Sequence, residues 1–185
     1  MATLTRVTAF TPLTAANLNA DKDEIERLAT GLFGNTTNTS RPRFLVKRTS
    51  TLSISNTTDT VVTWQSAVSD PRGMFDAGTP TVITVQSGDG GDWLLIGQER
   101  WPASASGSRA GKILLNGSNP NTNALSSGKL PGQSDGEGTT VGLIALARLV
   151  AGDVLGLNAW QSAGSSQTLE ITNGGTFFGG VWLGP

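Results

Sequence analysis

Thr139-Thr140-Val141-Gly142-Leu143-Ile144-Ala145-Leu146-Ala147-Arg148-Leu149-Val150-Ala151-Gly152-Asp153-Val154-Leu155-Gly156-Leu157-Asn158-Ala159-Trp160-Gln161 decides the fold class of this chain. Val141, Leu143, Ala145, Ala147 and Leu149 fall on every second position, and Leu155, Leu157 and Ala159 do so again after Gly152-Asp153. Successive side chains of a strand point to opposite faces, so this period predicts two strands, each with one buried face, joined by a turn.

The same pattern extends in both directions. Runs rich in Thr, Val, Ile, Leu and Trp predict further strands at Val61–Gln65, Thr81–Val85, Trp93–Trp101, Arg109–Asn116, Thr168–Ile171 and Thr176–Leu183. Gly, Asn, Ser and Pro clusters separate them, and Asn116-Gly117 and Asn173-Gly174 are dipeptides that end strands in tight turns. Eight strands with no convincing helix among them predict a mainly β fold: a sandwich, jelly roll or closed barrel.

Composition narrows function. The 185 residues include no Cys and no His, which excludes a disulfide framework, a thiolate nucleophile and a Ser-His-Asp relay. Charged residues make up 15% and the net charge is −1, so a polybasic nucleic-acid binder is excluded, while 37% hydrophobic residues suffice for a core. The most apolar stretch, Val141 to Ala151, is too short to span a bilayer and carries Arg148. Met1 to Arg6 lack a secretory layout, so synthesis in a cytoplasm is expected, with no membrane insertion.

Ahead of the strands lie two different zones. Residues 1–34 read as an anchoring arm with Pro12, followed by a short helix from a Thr14 cap to a Gly31 stop. Leu18, Ile25, Leu28 and Leu32 form one stripe on that helix. It suits either a partner surface or a small oligomeric bundle, because a helix this short needs packing to be stable. Residues 35–59 read as a linker, polar over 35–40, with a basic segment Arg41-Pro42-Arg43-Phe44-Leu45-Val46-Lys47-Arg48. That segment is either an edge strand with solvated charges or a docking strip for an acidic partner. Residues 60–185 form the β head.

The groups left for chemistry are few. Asp89, Asp92, Asp135, Glu137 and Asp153 all fall in turn-like contexts, where Asp bonds the backbone; a glycosidase would need two carboxylates facing one cleft. Ser87-Gly88-Asp89-Gly90-Gly91-Asp92 has the oxygen-rich look of a calcium loop but lacks the Glu of an EF-hand and any repetition, and reads better as a strand-joining turn. Trp64, Trp93, Trp101, Trp160 and Trp182 lie in or beside strands, where core or interface packing is the ordinary role. Trp101 ends a strand beside the Pro102–Gly107 loop and is the candidate glycan contact, with Gly117–Gly138 as a second polar loop.

Several segments also match a known pattern in order. Asp70-Pro71-Arg72-Gly73-Met74-Phe75-Asp76, Val82-Ile83-Thr84-Val85 and Gly91-Asp92-Trp93-Leu94-Leu95-Ile96 come first. Arg109-Ala110-Gly111-Lys112-Ile113-Leu114-Leu115-Asn116-Gly117, the Gly152-Asp153 turn and Phe177-Phe178-Gly179-Gly180 follow. Together, over roughly residues 60 to 185, they resemble C1q/TNF-like jelly rolls, including those of bacteriophage proteins. Trp93 stands where that family often has Tyr, and 117–138 looks like an inserted loop. The resemblance implies a homotrimer around a three-fold axis.

Phe10-Thr11-Pro12-Leu13-Thr14-Ala15-Ala16-Asn17-Leu18-Asn19 is in turn similar to the start of tailed-phage fibre and head-fibre proteins, whose N-termini attach to the virion. The two resemblances imply a structural protein of the virion surface, of head-fibre, decoration or short tail-fibre type. Leu4, Val7, Phe10, Leu13, Leu18 and Ile25 would lie on another virion protein, a major capsid or tail protein. No cofactor and no metal are implied. Host-glycan binding is the alternative role, and a carboxylate-based glycan hydrolase a distant third.

Overall fold

The computed structural model describes residues 41–185. The expected N-terminal arm and helix, with the expected anchoring residues Leu4, Val7, Phe10, Leu13, Leu18 and Ile25, lie outside the described residues. Twelve strands make up the head: β1 (Arg43–Lys47), β2 (Leu52–Ile54), β3 (Thr60–Val61), β4 (Ser66–Ser69), β5 (Ile83–Thr84), β6 (Gly91–Trp101), β7 (Ser108–Leu115), β8 (Ala124–Pro131), β9 (Thr139–Leu149), β10 (Val154–Gln161), β11 (Gln167–Leu169) and β12 (Phe177–Gly184). All pairings are antiparallel. The front sheet runs β4-β1-β12-β6-β9 and the back sheet β3-β10-β7-β8, with β5 also on β10 and a small β2–β11 pair beside them.

β9 and β10 cover the two deciding segments residue for residue. The alternation is obeyed, since Val141, Leu143, Ala145 and Leu149 point into the core, as do Leu155, Leu157 and Ala159. Between the sheets, Phe44 meets Phe178 edge to face at 5.0 Å, and Trp64 stacks on Phe178 at 6.2 Å between ring centroids. Gly180 makes room for this cluster. A Cβ there would stand 2.5 Å from Phe44 Cε1 and 2.9 Å from Leu95 Cδ2.

Turn chemistry holds the strand ends. Asn116 and Asn173 take the left-handed backbone, with φ of 53° and 50°. The Asn116 side chain then joins two strands, donating to Asp153 Oδ1 at 2.7 Å and accepting from the Val154 N–H at 2.9 Å.

Three expectations are corrected. The compact unit spans Ser40–Pro185, because β1 and β2 belong to the head, so its boundary lies near 40 instead of 60. β1 is interior to its sheet, between β4 and β12, where Phe44 and Val46 supply core. Its Arg43 and Lys47 are solvated, but Arg48 just after it is buried, with Nε donating to Ser50 O at 2.9 Å and Nη1 to Thr63 Oγ1 at 2.7 Å. The third correction concerns the 117–138 segment, which contains β8. As an edge strand with little buried surface, β8 tolerates Ser, Gly, Lys and Pro and shows no apolar period.

Candidate functional site

The face of the front sheet turned away from the core carries apolar side chains in register. Cross-strand pairing lines up Leu45, Gly179, Ile96 and Ile144 in one row, and Arg43, Val181, Leu94 and Leu146 in the next. Ile144 and Leu146 leave 64% and 73% of their surface open, and Ile96, Val181 and Leu183 are also exposed. The rows beyond are mixed and carry charged and polar groups. Asp92 pairs with Arg148 at 3.5 Å on one side, and Lys47, Phe177, Gln98 and Gly142 form the row on the other. An apolar centre flanked by charged and polar groups is similar in anatomy to a protein–protein interface. A contiguous apolar patch of this kind is unfavourable in water, which makes it a candidate contact surface.

Trp101 takes a different place from the one its sequence position suggested. It is wholly buried between the sheets, its ring 5.8 Å from the Arg109 guanidinium carbon. No ring face is open to a sugar. The reason is parity: Trp93, Leu95, Gly97, Glu99 and Trp101 share the inward face of β6. Trp64 and Trp93 are core as well, whereas Trp160 and Trp182 are half-buried.

Trp101 belongs to a polar inclusion at one end of the core. Glu99 is fully buried, and neither carboxylate oxygen has a hydrogen-bond partner among the described residues. Burial pushes its carboxyl well above the usual carboxylate range, opposed only by the nearby Trp101 indole N–H. Arg109 donates through Nη1 to Ser106 O at 3.0 Å and Ser108 O at 3.2 Å, and burial lowers its pKa. A Cβ at Gly111 would stand 2.6 Å from Glu99 Oε1, so glycine is what admits the carboxyl.

The turn carboxylates are occupied structurally. Asp89 forms a two-pronged pair with Arg72, at 3.0 Å from Nε and 2.8 Å from Nη2, and this bond raises the Arg72 pKa. Asp153 accepts from the Val150 N–H at 2.8 Å, and Asp135 from the Glu137 N–H at 3.1 Å. Among the described residues no three acidic side chains gather as a metal cluster would require.

Two five-stranded antiparallel sheets in this order, with a core between them and an apolar outer face on the front sheet, form a TNF/C1q-like jelly roll. No family model and no curated protein matches the chain. Among solved structures it is similar to murine APRIL, at 19% identity and TM-score 0.59 over 78% of this chain and 100% of that one. It is similar also to Eiger TNF from S. frugiperda, at 15% identity and TM-score 0.57 over 79% of this chain and 94% of that one. The globular domain of zebrafish complement 1qA aligns over 78% of this chain at TM-score 0.49. At these identities the likeness is one of fold.

Proposed function

We propose that this chain is a non-enzymatic structural protein of a bacteriophage virion: a homotrimer anchored by its N-terminal arm and displaying the jelly-roll head on the particle surface. The observation that carries the trimer is the double apolar row Leu45, Ile96, Ile144 and Val181, Leu94, Leu146 on the front sheet. Packing these faces around a three-fold axis closes the assembly and leaves none of them in water. The virion assignment rests on the segment Phe10 to Asn19 and its likeness to phage fibre N-termini, with Leu4, Val7, Phe10, Leu13, Leu18 and Ile25 laid on a capsid or tail protein. These 185 residues contain no fibrous repeat, which favours head fibre or decoration over a tail fibre.

Two measurements test the reading. Light scattering at micromolar concentration is expected to give about three times 19.1 kDa, and antibody labelling of intact particles is expected to decorate their surface. A monomer in the first, or an unlabelled particle in the second, overturns the corresponding half.

A further inference from the structure

The back sheet offers a second surface of quite different chemistry. Its outward positions pair as Trp160, Ala110, Lys129 in one row and Asn158, Lys112, Ser127 in the next. Ala110 is the small residue between two large ones, so a groove of about 380 Å³ opens above it. Trp160 forms one wall with part of its indole open. Lys129 Nζ stands 5.2 Å from that ring's centroid. Lys112 lies alongside with its Nζ 3.4 Å from Asn121 Oδ1 in the loop before β8. Asp59 also lines the groove. With the Asn158 amide turned so that its oxygen accepts from the Thr60 N–H, its nitrogen donates to Asp59 Oδ1 at 2.8 Å, which fixes that carboxylate.

We infer that this groove binds an acidic saccharide, a pyranose ring bearing a carboxylate or a phosphate. Each part of the ligand has a counterpart. The apolar C–H face of the ring lies on the Trp160 indole, because an aromatic face next to open water gains most from a flat, partly apolar partner. Its anionic group meets Lys112 and Lys129, whose ammonium moves off the indole on a flexible four-carbon stem. Hydroxyls find fixed acceptors and donors in Asp59, Asn121 and Ser127. Two cations against one carboxylate already engaged by Asn158 leave the groove net positive, which separates acidic from neutral sugars. The volume is at the small end of ligand sites and fits one or two sugar rings. All of these residues come from a single chain, so the site does not depend on the trimer.

The test is a titration of the full chain followed by tryptophan fluorescence and calorimetry. The probes are galacturonate, glucose 6-phosphate, glucose and inorganic phosphate, and the sample's mass is read in parallel. Galacturonate or glucose 6-phosphate is expected to bind, and the stronger of the two names the anion. Glucose and phosphate alone are expected to bind at least about tenfold more weakly, since each lacks one half of the recognition. Trp160→Ala is expected to weaken binding at least about tenfold, and Lys112→Ala by about three- to tenfold. Trp160→Phe, which keeps an aromatic face, is expected to recover part of the loss. Equal binding of glucose, binding unchanged by Trp160→Ala in a folded protein, or no binding of either acidic sugar overturns the proposal. The parallel mass separates that failure from failure of the trimer.

Discussion

Replacing Ile144 by Asp puts a carboxylate at the β9 edge of the apolar face without touching the core. The side chain points out of β9, its register partner is Ile96, and its neighbours along the strand on the same face are Gly142 and Leu146. The one cation in the two rows, Arg43, stands on β1, three strands away from β9, too far to rescue the charge. Fully burying an isoleucine is worth about 1.5–3 kcal/mol. With 64% of Ile144 open in the single chain, covering it contributes roughly 1–2 kcal/mol per subunit, three times over in a ring. Asp forfeits that and adds the cost of dehydrating an unpaired carboxylate, several kcal/mol per copy. A closed trimer cannot absorb such a sum three times. Sedimentation velocity is expected to show Ile144→Asp near 19.1 kDa with an unchanged β-sheet circular dichroism spectrum. Val150→Asp is the matched control: it removes a side chain that is 62% exposed and adds the same charge, but in the β9–β10 turn, outside both rows. It is expected to stay near three times that mass. A trimeric Ile144→Asp protein, or a Val150→Asp protein that dissociates equally, would refute the assignment of this face.

Three further outcomes are expected. Glu99 has a folded pKa raised above its unfolded value, so the unfolded chain releases the proton first as pH rises; stability is full below the ordinary carboxylate range and falls by about 1.4 kcal/mol per pH unit until the raised value is passed. Denaturant melts between pH 4 and 8 are expected to show that extra loss in the wild type and not in Glu99→Gln, and parallel curves would disprove it. Gly180→Ala forces a methyl against Phe44 and Leu95 and is expected to cost roughly 1–3 kcal/mol, a fall in Tm of several degrees by calorimetry; an unchanged Tm would mean the aromatic cluster yields freely. A chain beginning at Ser40 is expected to fold and melt cooperatively by itself, since β1 to β12 all lie beyond that point, and an unfolded product would show that the earlier residues belong to the core.

Legibility of the fold followed burial. β9 and β10 were readable to the residue because each buries one full face, and the alternation that burial enforces is uninterrupted. β8 was not, because an edge strand with most side chains in solvent has nothing to enforce a period. β1 was obscured by its charges, although Phe44 and Val46 two apart already carry an inward face. The sites were readable through the same parity. Counting in twos from Trp93 puts Trp101 inside, and counting from Leu155 puts Trp160 on the outer face, so the half-buried aromatic was marked in the sequence by its even position among odd core residues. Ile144 and Leu146 carried a comparable signal, as apolar residues on the wrong face of a strand whose right face was already full. What the sequence lacked was the pairing of strands: only the register of β7 with β8 and β10 brings Lys129 and Trp160 to opposite sides of Ala110.

The two surfaces constrain each other. They lie on opposite sheets of one sandwich, so an assembly that packs the front sheets around a three-fold axis turns every back sheet outward. Three copies of the Trp160 groove then point away from the axis on a single rigid head. Each groove is shallow and shared with solvent, and one ring stacked on one indole with two partly solvated cations supports only weak binding. A polymer long enough to reach from one groove to the next would make its second contact at an effective concentration fixed by the head itself, raising avidity by about 10²–10⁴ without a new contact, whereas a single short sugar would not. On this reading the apolar rows set how many copies of the proposed groove one head carries. Ile144→Asp separates them, since it removes the neighbours and leaves each groove whole.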